Sequence, residues 1–479
     1  MPGRSTSSLT VENEKSSVPA ITEKQLEAPD HEFEVVLDVT DDPQCMSTFR
    51  KWVIIVIISC ASLCVTCASS VASFAEQGVA KDFHVSHTVT ILSISLFVEG
   101  LGLGPLLVGP LSEVYGRSIV YRISYALFFV FSWPIAFAPN IEVYLIFRFV
   151  TGVSDMFDNA TVANPMAFYT ISPFIGPVLG PLISGFINQN THWRWTFRVL
   201  LIWIFAQLVA LFLFVPETYV PVILKKKAAR LRKSTGNPKL WAPLDRRNTN
   251  LTQAIILSCY TPFQLIWYDR MALLLNTWTA LILGILYLTF QAFPIIFEEH
   301  HGFSMQQTGL TYLGIGLGMI CAMFTQPYWN RIVARAAEKN NGKAPPEARL
   351  YMGQVGGILV PVGLYWLAFT TYSSVHWIVP IIASIPFGAG IYFVFTAVFT
   401  YLVTAYRPIA ASAMASNSAM RSTFAAAFPL FAGAMYHKLG MVGATALLAG
   451  IMTLCVPLPF IFLSIGARLR ATSRFASKD

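Results

Sequence analysis

The chain has 479 residues, 55% of them hydrophobic and only 12% charged, with a mean hydropathy of +0.57. That is about half the ~25% charge content of soluble domains, so a water-soluble globular protein is excluded. The surplus of 33 Lys+Arg over 25 Asp+Glu, a net +8, falls in loops, where it sets membrane orientation rather than marking a nucleic-acid partner.

Residues 1–49 are predicted to be a disordered cytoplasmic tail, because Met1 to Pro43 is polar and poor in aromatics and lacks the apolar segment of a cleavable signal. Apolar runs then recur along the chain, and about 20 apolar residues suffice to cross the ~30 Å hydrocarbon core as a helix. The first half, residues 50–215, holds candidate spans Trp52 to Ala75, Val89 to Leu111, Ile119 to Phe137, Met166 to Ile187 and Trp195 to Val215. Between the third and fourth of these lies a stub, Ile141 to Val153, with Arg148 in its middle. Residues 216–270 form a polar, strongly basic connection, Lys225 to Lys227, Arg230, Arg232 and Lys233 among them, and Ala254 to Trp267 reads as an interfacial helix containing Pro262. The second half, residues 271–465, holds Met271 to Phe297, Thr308 to Phe324, Gly356 to Thr371, Ile378 to Val403, Ala410 to Ala434 and Val442 to Ile465. A cytoplasmic tail, 466–479, closes the chain.

Arg50 and Lys51, the central connection, the loop with Arg331, Arg335 and Lys339, and the tail with Arg468, Arg470 and Arg474 all fall on one side under this arrangement, which the positive-inside bias makes cytoplasmic. Both termini inside require an even number of crossings in each half, so the stub must act as a crossing. Cys60, Cys64, Cys67, Cys321 and Cys455 lie inside apolar runs as small hydrophobes, and no disulfide is predicted.

The polar positions within this apolar chain carry the chemistry. Gly109-Pro-Leu-Ser-Glu113-Val-Tyr-Gly116-Arg117 is a glycine-delimited hinge between two spans, with one carboxylate and one guanidinium. Such a pair can latch a closed state and break on opening, and Asp155 is a candidate partner for Arg117. Glu99 and Arg148 sit at depths where an ionisable group costs roughly 2.5 to 3.5 kcal/mol and by default marks a pathway or proton site. A structurally hydrogen-bonded, protonated Glu99 is the alternative. In Ser172 to Gly185, Gly176, Gly180 and Ser184 form a stripe of small residues that admits a neighbouring helix, and Pro173, Pro177 and Pro181 repeat at the same interval. Close packing and a moving hinge both fit that pattern. Tyr287, Phe290, Gln291 and Phe293 recur at helical spacing, Tyr392 lies on a second aromatic helix, and Asn417 and Arg421 share a face. An aromatic pocket with few polar groups suits bulky or cationic solutes, whereas plain helix packing is the competing reading.

In order and spacing, several of these stretches resemble the major facilitator superfamily, and within it the fungal twelve-helix drug:proton antiporters of multidrug or polyamine type. They are Gly109 to Arg117, Leu145-Ile-Phe-Arg148-Phe-Val-Thr-Gly152, Ser172 to Gly185, Trp193-Arg-Trp195, Pro216-Glu-Thr-Tyr219, Pro346 to Leu350 and Tyr401 to Arg421. The resemblance spans almost all of Arg50 to Arg470. It implies an all-α polytopic membrane protein with two six-helix bundles around a central cavity, here with eleven full spans and a truncated fourth. It implies a plasma-membrane exporter acting by alternating access, with Glu99 and Arg148 in proton coupling, Gly109, Glu113, Gly116, Arg117 and Asp155 in the cytoplasmic gate, and Tyr287, Phe290, Gln291, Phe293, Tyr392, Asn417 and Arg421 against substrate. Small-molecule substrate, protons and the bilayer are the implied partners of a monomer with no metal, cofactor or enzymatic activity.

One departure stands out. In the family the fourth helix continues through a Gly- and Ser-rich stretch, whereas here Gly152-Val153 runs directly into Ser154-Asp-Met-Phe157. From Ile141 to Phe157 a helix reaches only about 25 Å, and transport by this chain is expected to be impaired. An inactive scaffold and a nutrient importer are the competing functions.

Overall fold

The computed structural model describes residues 33–37, 45–154, 166–243, 245, 251–340, 342 and 344–476. Among them the protein is helical, and its sheet-like pairing is one isolated bridge between Glu34 and Trp241. The first half runs α1 (Thr48–Ser70), α2 (Glu76–Phe83), α3 (His87–Tyr115), α4 (Arg117–Ala136), α5 (Ile141–Val153), α6 (Met166–Asn190) and α7 (Arg194–Phe214). The connection contains α8 (Val220–Thr235) and α9 (Leu251–Tyr268). The second half runs α10 (Arg270–Phe293), α11 (Met305–Thr311), α12 (Leu313–Phe324), α13 (Gln326–Glu338), α14 (Leu350–Ala368), α15 (Ile378–Ala405), α16 (Ala410–Cys455) and α17 (Pro457–Thr472).

Nine helical runs among the described residues are long and apolar enough to cross a bilayer. One of them, Ala410–Thr472, turns back at Gly440, whose φ of 70° and ψ of 166° interrupt α16, so it supplies two passes. The 25-residue α6 adds a further pass, and α5 is short at 13 residues. Side chains such as Ile202, Leu213, Phe324 and Leu454 are 65–81% exposed. A continuous apolar exterior of this kind is stable against lipid, not water.

Small residues set which helices touch. Along α6, Gly176 faces Thr66 and Gly180 faces Ser70 of α1, each so close that a Cβ would collide with the opposing hydroxyl. This is the stripe expected from the sequence, and because both contacts advance together the two helices run parallel. Arg148 on α5 meets Ser93 on α3, and Gly152 meets Phe97, so α5 likewise runs parallel to α3. The stub therefore takes the place of the fourth pass, with the direction that the parity of crossings demands. It ends beside Gly100, well short of the end of α3 at Tyr115.

Three expectations are corrected. The first span does not reach Ala75: α1 stops at Ser70, a turn follows, and a separate helix, α2, runs to Phe83 with Glu76 and Val79 buried. The N-terminal tail is not solvated throughout, because Val35 donates to the Trp241 carbonyl, Trp241 donates to the Phe33 carbonyl, and Val35 packs with Ala228 and Ala242. The apolar part of the central connection is longer than expected. It begins at Leu251 and packs against α3 and α16.

Candidate functional site

The hinge between α3 and α4 is built on Gly116, whose φ of +100° is a conformation that L side chains rarely adopt. That turn points the first amides of α4 at Glu217. Arg117 N donates to Oε1 and Ser118 N to Oε2, both at 3.2 Å, and Thr218 and Tyr219 N–H groups share Oε1. A carboxylate at a helix N-terminus satisfies orphan amides and meets the positive end of the dipole. The Arg117 guanidinium lies 5.2 Å from the Tyr219 ring, and Arg122 donates to the Val215 carbonyl at 2.7 Å. Glu217 thus holds the backbone amides at the start of α4. Asp155 lies outside the described residues, as do the side chains of Gly109 and Glu113.

Deeper in the first half, Arg148 is 1% exposed. Its Nε donates to the Ser93 carbonyl at 2.9 Å, Nη1 to Ala68 O at 2.9 Å and Nη2 to Ser69 O at 3.3 Å, and its charge lies 4.4 Å from the Phe97 ring. Carbonyl dipoles and a ring face thereby take the role of a counter-ion. A void of about 10 Å³ adjoins it, bordered by Ser132, Thr151 and Phe197.

Ser69 continues the polar path across to the second half. Its hydroxyl and that of Tyr287 are 2.6 Å apart, both buried. One turn further along α10, Gln291 Nε2 donates to both oxygens of Glu76, at 3.2 and 3.1 Å, and Glu76 also contacts His87 Nε2 at 3.1 Å. Phe290 and Phe293 pack on Tyr312, with centroids 5.8 and 4.7 Å away, and Phe74 approaches it from the turn between α1 and α2 at 6.5 Å. The structure therefore brings Tyr287, Phe290, Gln291 and Phe293 together with Arg148 and Ser69 along the α1–α10 seam. Toward the hinge the halves also meet through Phe174 and Phe395, 4.8 Å apart.

Of the remaining candidates, Arg421 comes within electrostatic reach of Tyr287 and the others lie elsewhere. Tyr392 turns its hydroxyl to Gln326 Oε1 at 3.2 Å, away from the Tyr287 cluster. Asn417 is fully buried and donates to Asn276 Oδ1 and Thr279 Oγ1 at 2.9 and 2.8 Å, so it joins α16 to α10. Arg421 does share its face, 5.3 Å above the Phe399 ring. Glu99 does not meet Arg148. It accepts from the exposed Thr423 hydroxyl at 3.2 Å, on the flank where α3 meets α16. Pro173, Pro177 and Pro181 remain inside a continuous α6.

Sequence reasoning missed Glu76, Ser69 and Glu217. Glu76 lies one residue beyond the span end drawn at Ala75. The signal was present, because Ala75, Val79 and Phe83 continue the helical spacing. At the far end of α2, Asp82 accepts from Trp193 Nε1 at 2.9 Å and Arg194 Nη1 at 2.6 Å, with His192 Nε2 at 3.1 Å. Burial works against its charge, but Trp193, Arg194 and His192 outweigh that and hold the carboxyl below the usual carboxylate range.

Comparison with known proteins agrees with this geometry. Residues 58–428 match the Major Facilitator Superfamily. The chain is 42% identical to "Efflux pump atB" of Aspergillus terreus, covering 94% of this chain and 91% of that protein. It is 40% identical to "Probable drug/proton antiporter YHK8" of Saccharomyces cerevisiae, covering 93% and 90%. Among solved structures, the human organic anion transporter MFSD10 superposes with a TM-score of 0.60 at 15% identity, covering 85% of this chain and 99% of that one. The partially occluded, inward-open xylose transporter XylE from E. coli gives 0.57 at 18%, covering 86% and 98%. The solved structures speak for the fold alone, and the sequence relatives for the branch: this chain belongs to the Major Facilitator Superfamily, a transporter family, within its fungal drug:proton antiporter branch.

Proposed function

We propose that the protein is a secondary active exporter of drug-like or cationic organic solutes, exchanged for protons across the plasma membrane by alternating access, with both termini in the cytoplasm. The observation that carries the reading is the buried polar path across the α1–α10 seam, Arg148 to Ser69 to Tyr287. Two halves that rock against each other need a seam they can break, and a few hydrogen bonds set among aromatic rings meet that need. The halves touch at the Glu76–Gln291 level and again at Phe174–Phe395, which is the arrangement of an occluded state. The name of the efflux pump atB favours export, and that of the probable drug/proton antiporter YHK8 favours proton exchange.

In this reading Arg148 is a fixed positive pole, its donors engaged by carbonyls. Glu99, half-buried at the α3–α16 flank, is a proton carrier, and the Tyr287 cluster with the Asn417 and Arg421 face contacts substrate once the halves part. Glu217, Gly116 and Arg117 form the cytoplasmic gate, with Gly109, Glu113 and Asp155 its further members. The protein works as a monomer of two bundles, 50–215 and 271–465, joined by 216–270. Reconstituted vesicles test the exchange: an added lipophilic cation should dissipate an imposed proton gradient, and a gradient indifferent to every such solute argues against it. The short α5 favours a second reading, an inactive scaffold. That reading requires vesicles of the present chain with no flux for any such solute.

A further inference from the structure

We propose that Glu76 is a proton-binding site, distinct from Glu99, whose protonation by way of His87 releases the outer seam between the two halves. The proposal rests on the proton-exchange reading for its purpose, but its geometry stands independently. Glu76 is 3% exposed. The other carboxylates buried among the described residues are matched within their surroundings, Glu347 by Arg470 and Asp269 as the cap of α10. Glu76 instead reaches from the first half to an amide of the second, 215 residues away, and to a histidine whose side chain is 57% exposed. A buried acid tied to an exposed imidazole has a route to water, and one tied to the opposite half has a mechanical consequence.

The proton step is simple. External water protonates the His87 ring, and the proton passes from Nε2 to Oε2 of Glu76, leaving a neutral imidazole and a neutral carboxyl. As a carboxylate, Glu76 accepts from Gln291 Nε2 through both oxygens. Once Oε2 carries the proton, only Oε1 still accepts in that geometry, and the charge-assisted character of the contact is lost. Besides His87 on α3 and Gln291 on α10, Glu76 is within electrostatic reach of Tyr144 on α5 and of Tyr312 between α11 and α12, which also feels Glu298. None of these carries positive charge, so His87 governs the sign: removing it should ease protonation of Glu76. Acid outside would thus open the outer side, which is where an exporter must release its solute.

The test uses the full chain in detergent, without transport. Infrared difference spectroscopy reads the protonated-carboxyl C=O stretch, and hydrogen–deuterium exchange, corrected for intrinsic pH dependence, reads protection of residues 76–87 and 288–304. In the wild type, acidification should raise the band and lower protection together. Glu76→Gln should lose the Glu76 component of that band and show wild-type low-pH exchange at every pH. His87→Ala should move both responses up by about one pH unit or more. Gln291→Leu should keep the band yet abolish protection, and these last two variants decide the matter if Glu76→Gln does not fold. A band unchanged in amplitude by Glu76→Gln, or outer-seam protection independent of pH, overturns the proposal. A pH-dependent seam in a chain that shows no proton flux in vesicles would leave the latch standing and refute antiport instead.

Discussion

Arg148 shows how a membrane protein keeps a charge it cannot hydrate. Three backbone carbonyls on α1 and α3 and the Phe97 ring surround the guanidinium, so Arg148→Ala would strand the Ala68 and Ser69 carbonyls in the last turn of α1 at about 1–3 kcal/mol each. A large fall in unfolding temperature is expected for that variant and a smaller one for Arg148→Lys, measured by scanning fluorimetry in detergent. Equal, minor shifts for both would mean that these contacts contribute little. Asp82 makes a different demand. Because its folded carboxyl is held below the ordinary range, its stabilising effect is present above the unfolded value near ~3.9 and is lost only as pH falls through the lower folded value. Asp82→Asn should therefore be less stable than the wild type by a gap that persists from about pH 8 down to about pH 5 and closes only in stronger acid. A gap that closes near neutrality would contradict the clamp. Arg148 was legible from its depth alone. Its partners were not, because carbonyls on other helices leave no mark in the sequence.

Helices were the most legible level, since apolar length fixes a span and its ends fall where charge or a turn begins. The stripe of Gly176 and Gly180 also predicted close approach, and α1 is the helix that approaches. Gly180→Leu should drive α6 off Ser70 and cost about 1–3 kcal/mol or more, as overpacking does. It should appear as loss of monodisperse protein on size exclusion, and an unaffected yield would mean that α6 does not need this contact. The first span was drawn to Ala75, whereas α1 stops at Ser70, and Glu76, Lys81 and Asp82 read as loop but form the separate helix α2, with Glu76 held by the opposite half. The α5 stub was read correctly in length, Ile141 to Val153, and its packing along α3 is known only from the structure. Lengthening it after Val153 by two apolar turns should raise transport above that of the present chain, and equal rates would show that the short helix is tolerated.

At the scale of the whole molecule, the family and the two-part architecture follow from motifs in order, each local in sequence. What joins the halves does not. Ser69 with Tyr287 and Glu76 with Gln291 are pairs 218 and 215 residues apart, and neither residue of a pair signals its partner. The same holds for Glu99, whose partner is Thr423, 324 residues away, and for Tyr392, which turned toward Gln326. Periodicity places a residue on a face, whereas tertiary packing decides what that face meets. The central claim is that these two halves exchange an organic solute for protons, and one measurement bears on it most directly. The full chain and its α5-lengthened version are reconstituted in vesicles with an acidic lumen and a trapped pH dye, and a lipophilic cation is added outside. The expected result is alkalinisation of the lumen, weak for the present chain and stronger for the lengthened one, whereas a lumen that stays acidic in both would contradict proton exchange.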